Sequence, residues 1–198
     1  MYDRVDSRRR YNPGMRRTLR LHPDSRCHAA VRIEAEAARP RPGSLSLRYC
    51  VAGDISRLRL PPPAAPARAD GLWRRTCFEA FLRASPGAAY YELNFAPSLQ
   101  WAAYRFAGYR AGRRVVDEIE TPRIEARRAA DRYTLRVVLE LDGLPDLPGE
   151  AGWRLGLSAV IEDSGGETSY WALAHPPGGA DFHHSDCFTH ELPAAKQA

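Results

Sequence analysis

Tyr90-Tyr91-Glu92-Leu93-Asn94-Phe95 and Trp101-Ala102-Ala103-Tyr104-Arg105-Phe106, parted by Ala96-Pro97-Ser98-Leu99-Gln100, read as two aromatic strands of one hairpin. Period two assigns Tyr91, Leu93 and Phe95 to one face, and Tyr104 and Phe106 join them as expected core. The opposite faces take Tyr90, Glu92 and Asn94, then Trp101 and Arg105, with Glu92 and Arg105 as an available surface pair. A sheet face that mixes indole, carboxylate, amide and guanidinium suits a polar ligand with an apolar side.

The same alternation runs outward from this hairpin. Val31, Ile33, Ala35 and Ala37 alternate with polar residues, as do Leu45, Leu47, Tyr49 and Val51. Tyr133, Leu135, Val137, Leu139 and Leu141 form a third set, and Trp153, Leu155, Leu157, Ala159 and Ile161 a fourth. Such runs are half-buried antiparallel strands. Asp163-Ser164-Gly165-Gly166 closes a hairpin, while Pro61-Pro62-Pro63 and Pro176-Pro177-Gly178-Gly179 open loops. The helix candidate at 118–130 is cut by Thr121-Pro122 and reads better as irregular chain or strand. The expected fold is all-β, an antiparallel two-sheet β-sandwich or jelly roll of about nine strands.

The 198 residues and 22.1 kDa suit one domain, large enough to bury a core without metal or disulfide staples. We expect an Arg-rich leader over 1–14, a single domain over 15–192 and a frayed tail over 193–198. The net charge of +5 is confined to residues 1–20, which hold seven Arg against Asp3 and Asp6. A neutral body argues against nucleic acid as a partner. No apolar run reaches the roughly 18 residues of a membrane helix. Cys27, Cys50, Cys77 and Cys187 show no metal or disulfide spacing. Free thiols and a start without an apolar signal core point to the cytoplasm of a bacterial-type cell.

Ten of the 19 aromatic residues fall in 73–109. Within that stretch, Leu72-Trp73, Thr76-Cys77-Phe78-Glu79 and the hairpin at 90–106 resemble the DOMON-like domains, small bacterial proteins similar to family 9 carbohydrate-binding modules. Tyr170-Trp171-Ala172-Leu173-Ala174-His175-Pro176 and Asp181-Phe182-His183-His184 extend the resemblance, which covers most of 17–192. It implies a β-sandwich with one cleft, in which two Trp side chains clamp a sugar while a Glu binds its hydroxyls. Trp73, Glu79 and Trp171 match by order. Trp73 and Glu79 lie six residues apart, roughly 20 Å along a straight strand, so they can meet only if the chain bends near 74–76.

Four of the six histidines, His175, His183, His184 and His190, lie in the last 24 residues, near Asp181 and Asp186. They could hydrogen-bond loop backbone, recognise a polar ligand or ligate a metal. With only Met1 and Met15 in the chain, the Met/His haem ligation of other DOMON proteins is not expected. The sequence contains no GxSxG, phosphate loop or dinucleotide fingerprint. The leading expectation is a non-catalytic module without cofactor or metal. It binds a small polar ligand, by resemblance a saccharide, through Trp73, Glu79, Asn94, Trp171, His175 and His183. The alternative is a metal-assisted enzyme centred on His175, His183, His184 and Asp186.

Overall fold

The computed structural model describes residues 14–195, so the expected leader, apart from Gly14, and the last three tail residues lie outside the described residues. Its strands are β1 (Arg17–Thr18), β2 (Arg20–Leu21), β3 (Val31–Ala38), β4 (Ser44–Gly53), β5 (Ala67–Arg68), β6 (Cys77–Ala84) and β7 (Tyr90–Phe95). They continue as β8 (Gln100–Phe106), β9 (Arg114–Val115), β10 (Arg123–Arg128), β11 (Arg132–Glu140), β12 (Trp153–Glu162), β13 (Thr168–Ala172) and β14 (His190–Leu192). Nine of these have five residues or more, the number expected from alternation; the others are two- or three-residue edge pieces. Thr121-Pro122 does end the helical option, and β10 begins at the next residue. No helix among the described residues is long and apolar enough to cross a membrane.

Two sheets pack face to face. The smaller runs β1-β3-β4-β11-β10 and the larger β2-β13-β12-β6-β7-β8-β5, with β14 on β12 and β9 on β8. All pairings are antiparallel except β5 with β8. In β11 the alternation is literal: Tyr133, Leu135, Val137 and Leu139 are buried, while Arg132, Arg136, Val138 and Glu140 are exposed. The buried set meets Phe78, Tyr91, Leu93, Phe95, Leu155 and Leu157 of the larger sheet in one core. The Tyr133 ring stacks on Phe78 at 5.9 Å, and the Tyr49 hydroxyl donates to the Glu79 carbonyl at 2.6 Å, tying the layers together.

The larger sheet differs because both its faces are covered. Every residue of β7 is buried. One face is the sandwich core; the other carries a second cluster in which Phe81, Tyr90, Tyr104 and Phe106 are capped by Phe182 and Phe188 from the segment after β13. This second face holds the candidate site.

The hairpin register corrects the expected faces of β8. Tyr90 opposes Phe106, Glu92 opposes Tyr104 and Asn94 opposes Ala102. Tyr104 and Phe106 therefore share the outer face with Glu92, while Trp101 and Arg105 point to the sandwich side with Phe95 and Tyr91. The expected Glu92–Arg105 pair does not form; Arg105 binds Asp146 instead. The cause is the four-residue turn 96–99. It is closed by Ala96 N–H to Gln100 O, with Leu99 at φ 70°, so that strand pairing resumes with even-numbered residues facing even-numbered ones. Strand alternation fixes parity within a strand, and the turn alone fixes it between strands.

Candidate functional site

A cleft of about 360 Å³ opens on the outer face of the larger sheet. Glu79 and Phe81 on β6, Glu92 on β7, Phe106 on β8 and Val160 on β12 form its sheet-borne lining. Trp73, Arg110 and Arg113 line it from loops, as do Phe182 and His183 from the segment after β13, and Tyr170 joins them from β13 itself. Trp73 reaches it because residues Leu72–Arg74 form a 3-10 turn entered through Gly71 at φ 72°. The chain bends where the Trp73–Glu79 spacing required it to, and Trp73 rests edge-on against Tyr104 at 5.9 Å. The Arg113 guanidinium lies 4.1 Å from the Tyr104 ring centre and 5.3 Å from that of Trp73, while donating to Asp70 at 2.9 Å.

Two carboxyl groups lie at the bottom. Glu79 is 2% exposed; its Oε2 accepts a long bond from Ser158 Oγ at 3.4 Å, and its Oε1 has no partner. Glu92 accepts from the Asn94 amide at 2.7 Å. Asn94 is fully buried, directly opposite Glu79 in the β6–β7 register, and its Oδ1 is also unpartnered. Burial, then repulsion from Glu92, holds Glu79 well above the usual carboxyl range. Burial raises Glu92 too, against the opposing pull of Asn94, Arg113 and Arg110.

His183 stands between three rings. Phe81 and Phe106 are each 5.0 Å from it and Tyr90 5.9 Å, all edge-on. The Tyr90 hydroxyl accepts from Arg110 N–H at 3.2 Å, which leaves its own proton for His183 Nδ1 at 2.8 Å. The other ring nitrogen, Nε2, faces Glu92 at 3.8 Å. Burial, reinforced by Arg110, lowers the His183 pKa to about 4, so the imidazole is neutral at ordinary pH.

Of the six expected ligand residues, Trp73, Glu79 and His183 line this cleft, and Asn94 sits beside it holding Glu92. Two do not join them. Trp171 is packed in the sandwich core beneath the sheet, 7% exposed, with its indole N–H on Ser169 Oγ at 3.0 Å. It pairs with Ala159, a core residue, and so its neighbour Tyr170 takes the cleft side. The expected Trp73–Trp171 clamp is therefore not formed. His175 instead bonds the Arg20 carbonyl at 2.8 Å and meets His22 edge-on at 4.8 Å.

The alternative metal-assisted centre is corrected as well. Among the described residues, the His, Cys, Asp and Glu side chains whose ligand atoms converge within 4.8 Å are His28, Asp163 and Glu167. His175, His183, His184 and Asp186 do not converge; His184 Nδ1 caps a turn by accepting from Asp186 N–H. Phe81, Arg110, Arg113, Tyr170 and Phe182 complete the cleft unanticipated. Tyr170 follows as the residue of opposite parity once Trp171 is buried; the arginines, both in the chain between β8 and β9, gave no sequence signal.

No known family model matches the chain, and no curated protein matches it. Solved structures do. A candidate carbohydrate-binding protein from Bacteroides uniformis is similar with a TM-score of 0.63 at 11% identity, over 90% of this chain and 85% of the other. A family 9 carbohydrate-binding module from Caldicellulosiruptor kristjanssonii in complex with glucose gives 0.52 at 10% identity, over 91% and 86%. A family 9 module from the same organism in complex with cellotriose gives 0.51 at 10% identity, over 93% and 84%. At these identities the likeness establishes a shared β-sandwich fold.

Proposed function

We propose that the chain is a non-catalytic binding module for a small saccharide, held in the cleft of Trp73, Glu79, Glu92 and His183. The observation that carries this reading is the buried, unpartnered Glu79 oxygen at the bottom of an aromatic-walled cleft. A buried acceptor without a donor costs on the order of 1–3 kcal/mol, which a ligand hydroxyl recovers. The Trp73, Phe106 and Tyr170 rings offer apolar surface for the C–H side of a sugar ring. A volume of 360 Å³ lies at the small end of the roughly 300–1,000 Å³ typical of such sites and fits a short saccharide. The fold neighbours, whose own descriptions concern carbohydrate, glucose and cellotriose, support the same reading.

A catalytic use is less well supported by the geometry. His183 Nδ1 is occupied by Tyr90, and no serine or cysteine bonds to either of its ring nitrogens among the described residues. Titration calorimetry with glucose and cellotriose, read beside tryptophan fluorescence, tests the proposal. Binding that weakens about tenfold or more in Trp73→Ala is expected. Silence of both sugars in both readouts would remove the saccharide reading.

A further inference from the structure

The two acids of the cleft are short of donors. Glu79 Oε1 and Asn94 Oδ1 are buried without partners, and Glu92 Oε2 has only His183 Nε2 at 3.8 Å. The Asn94 amide cannot relieve this, because its NH₂ is already turned to Glu92. Nor can the nearby cations. Arg110 donates to Asp181 at 2.7 Å and Arg113 to Asp70 at 2.9 Å, each through one nitrogen, and neither forms an ion pair with Glu79 or Glu92. Among the described residues no cation is in contact with Glu79; its polar neighbours are Cys77, Ser158 and the acid Glu92. His183 supplies no charge. What the cleft presents is two carboxyls in a space walled by Phe81, Phe106 and Trp73, with the unpartnered Asn94 amide oxygen buried beside it.

One chemical group answers all of these features. An ammonium has three donors and no acceptor, carries the charge the two acids lack, and is attracted to aromatic faces. A hydroxyl brings one proton and its own lone pairs. Resting on the saccharide reading above, we propose that the preferred ligand is an amino sugar with a free protonated amine, its ammonium seated at Glu79 and Glu92. Burial raises the proton affinity of both acids in the empty cleft, and a cation seated beside them opposes that shift. Cys77, Ser158, Asn94, His183, Arg110 and Arg113 are the other groups that face this pair, and none of them supplies a free cation at contact distance.

The test is calorimetry on the full chain at pH 7 with glucosamine, glucose, N-acetylglucosamine and putrescine. We expect glucosamine to bind at least about tenfold tighter than glucose and N-acetylglucosamine. In Glu79→Gln the glucosamine-to-glucose ratio should fall towards one, with Glu92→Gln as the second variant if the first does not fold. Glucose binding as tightly as glucosamine would overturn the amine inference and leave the saccharide reading standing. No binding by any of the three sugars would overturn both. Putrescine binding as tightly as glucosamine would show that the sugar ring is not recognised, and would overturn the inference in favour of a general amine site.

Discussion

Trp73 and Trp171 stand on opposite sides of the larger sheet. Trp73 comes from the turn that precedes β6 and lines the open cleft, whereas Trp171 projects from β13 into the sandwich core beside Ala159. Their similar chemistry in the sequence hides different placement: one lines an open cleft, the other fills the interior.

Alanine substitution separates the two. Trp171→Ala removes a buried indole and should lose about 3–5 kcal/mol of unfolding free energy in urea. Trp73→Ala should cost about 1 kcal/mol or less and act on sugar affinity instead. Equal losses of stability in the two variants would contradict the placement.

His183 sets an acid limb of stability. Its folded pKa of about 4 lies below the ordinary value of 6.5, so the folded state favours the neutral ring. That contribution is complete above pH 6.5 and is lost as the pH falls towards 4, with an upper size of about 3 kcal/mol. His183→Phe keeps the ring contacts without titrating. The wild-type stability should therefore drop more steeply than the variant's between pH 6.5 and 4, measured by chemical denaturation.

Glu79 acts with the opposite sign. Its proton is held more tightly in the folded chain than in the unfolded one, so stability falls as the pH rises above about 4.3. Glu79→Gln carries no such penalty. The variant should gain on the wild type as the pH is raised from 5 towards 8, and a constant difference across that range would refute the assignment of the proton to this site.

Arg105, Asp146 and Tyr91 form a network on the sandwich side, away from the cleft. Arg105 binds Asp146 through two nitrogens at 2.6 and 3.1 Å, and the Tyr91 hydroxyl donates to the same carboxylate at 2.8 Å. Asp146→Ala strands both donors in a partly buried place and should cost about 1–3 kcal/mol. Sugar affinity should be unchanged, because none of the three lines the cleft. Differential scanning calorimetry and a sugar titration on the same preparation check both halves.

The sandwich was legible because period two is a local property. Tyr133 to Leu139, and Trp153 to Ile161, declare their buried faces whatever they pair with. Trp73 and Glu79 were legible as a pair only through resemblance and the need for a bend between them. The parity of Trp101 against Glu92 was not legible, since it depends on how turn 96–99 closes. Nor was the burial of Trp171, since Tyr170 and Trp171 are both aromatic and alternation in β13 leaves open which of the two meets the core.

The order of residues by itself determined an antiparallel sandwich, since side chains alternate every two positions on any extended chain. It also named the acid and one of the rings that the cleft presents. Only the tertiary structure decided which face of the larger sheet stays open, which indole reaches it, and that Arg110 and Arg113 arrive beside it already paired. Those outcomes rest on contacts between segments far apart in the chain, where turn geometry and the capping of one sheet face by Phe182 and Phe188 select among pairings that local alternation leaves equal.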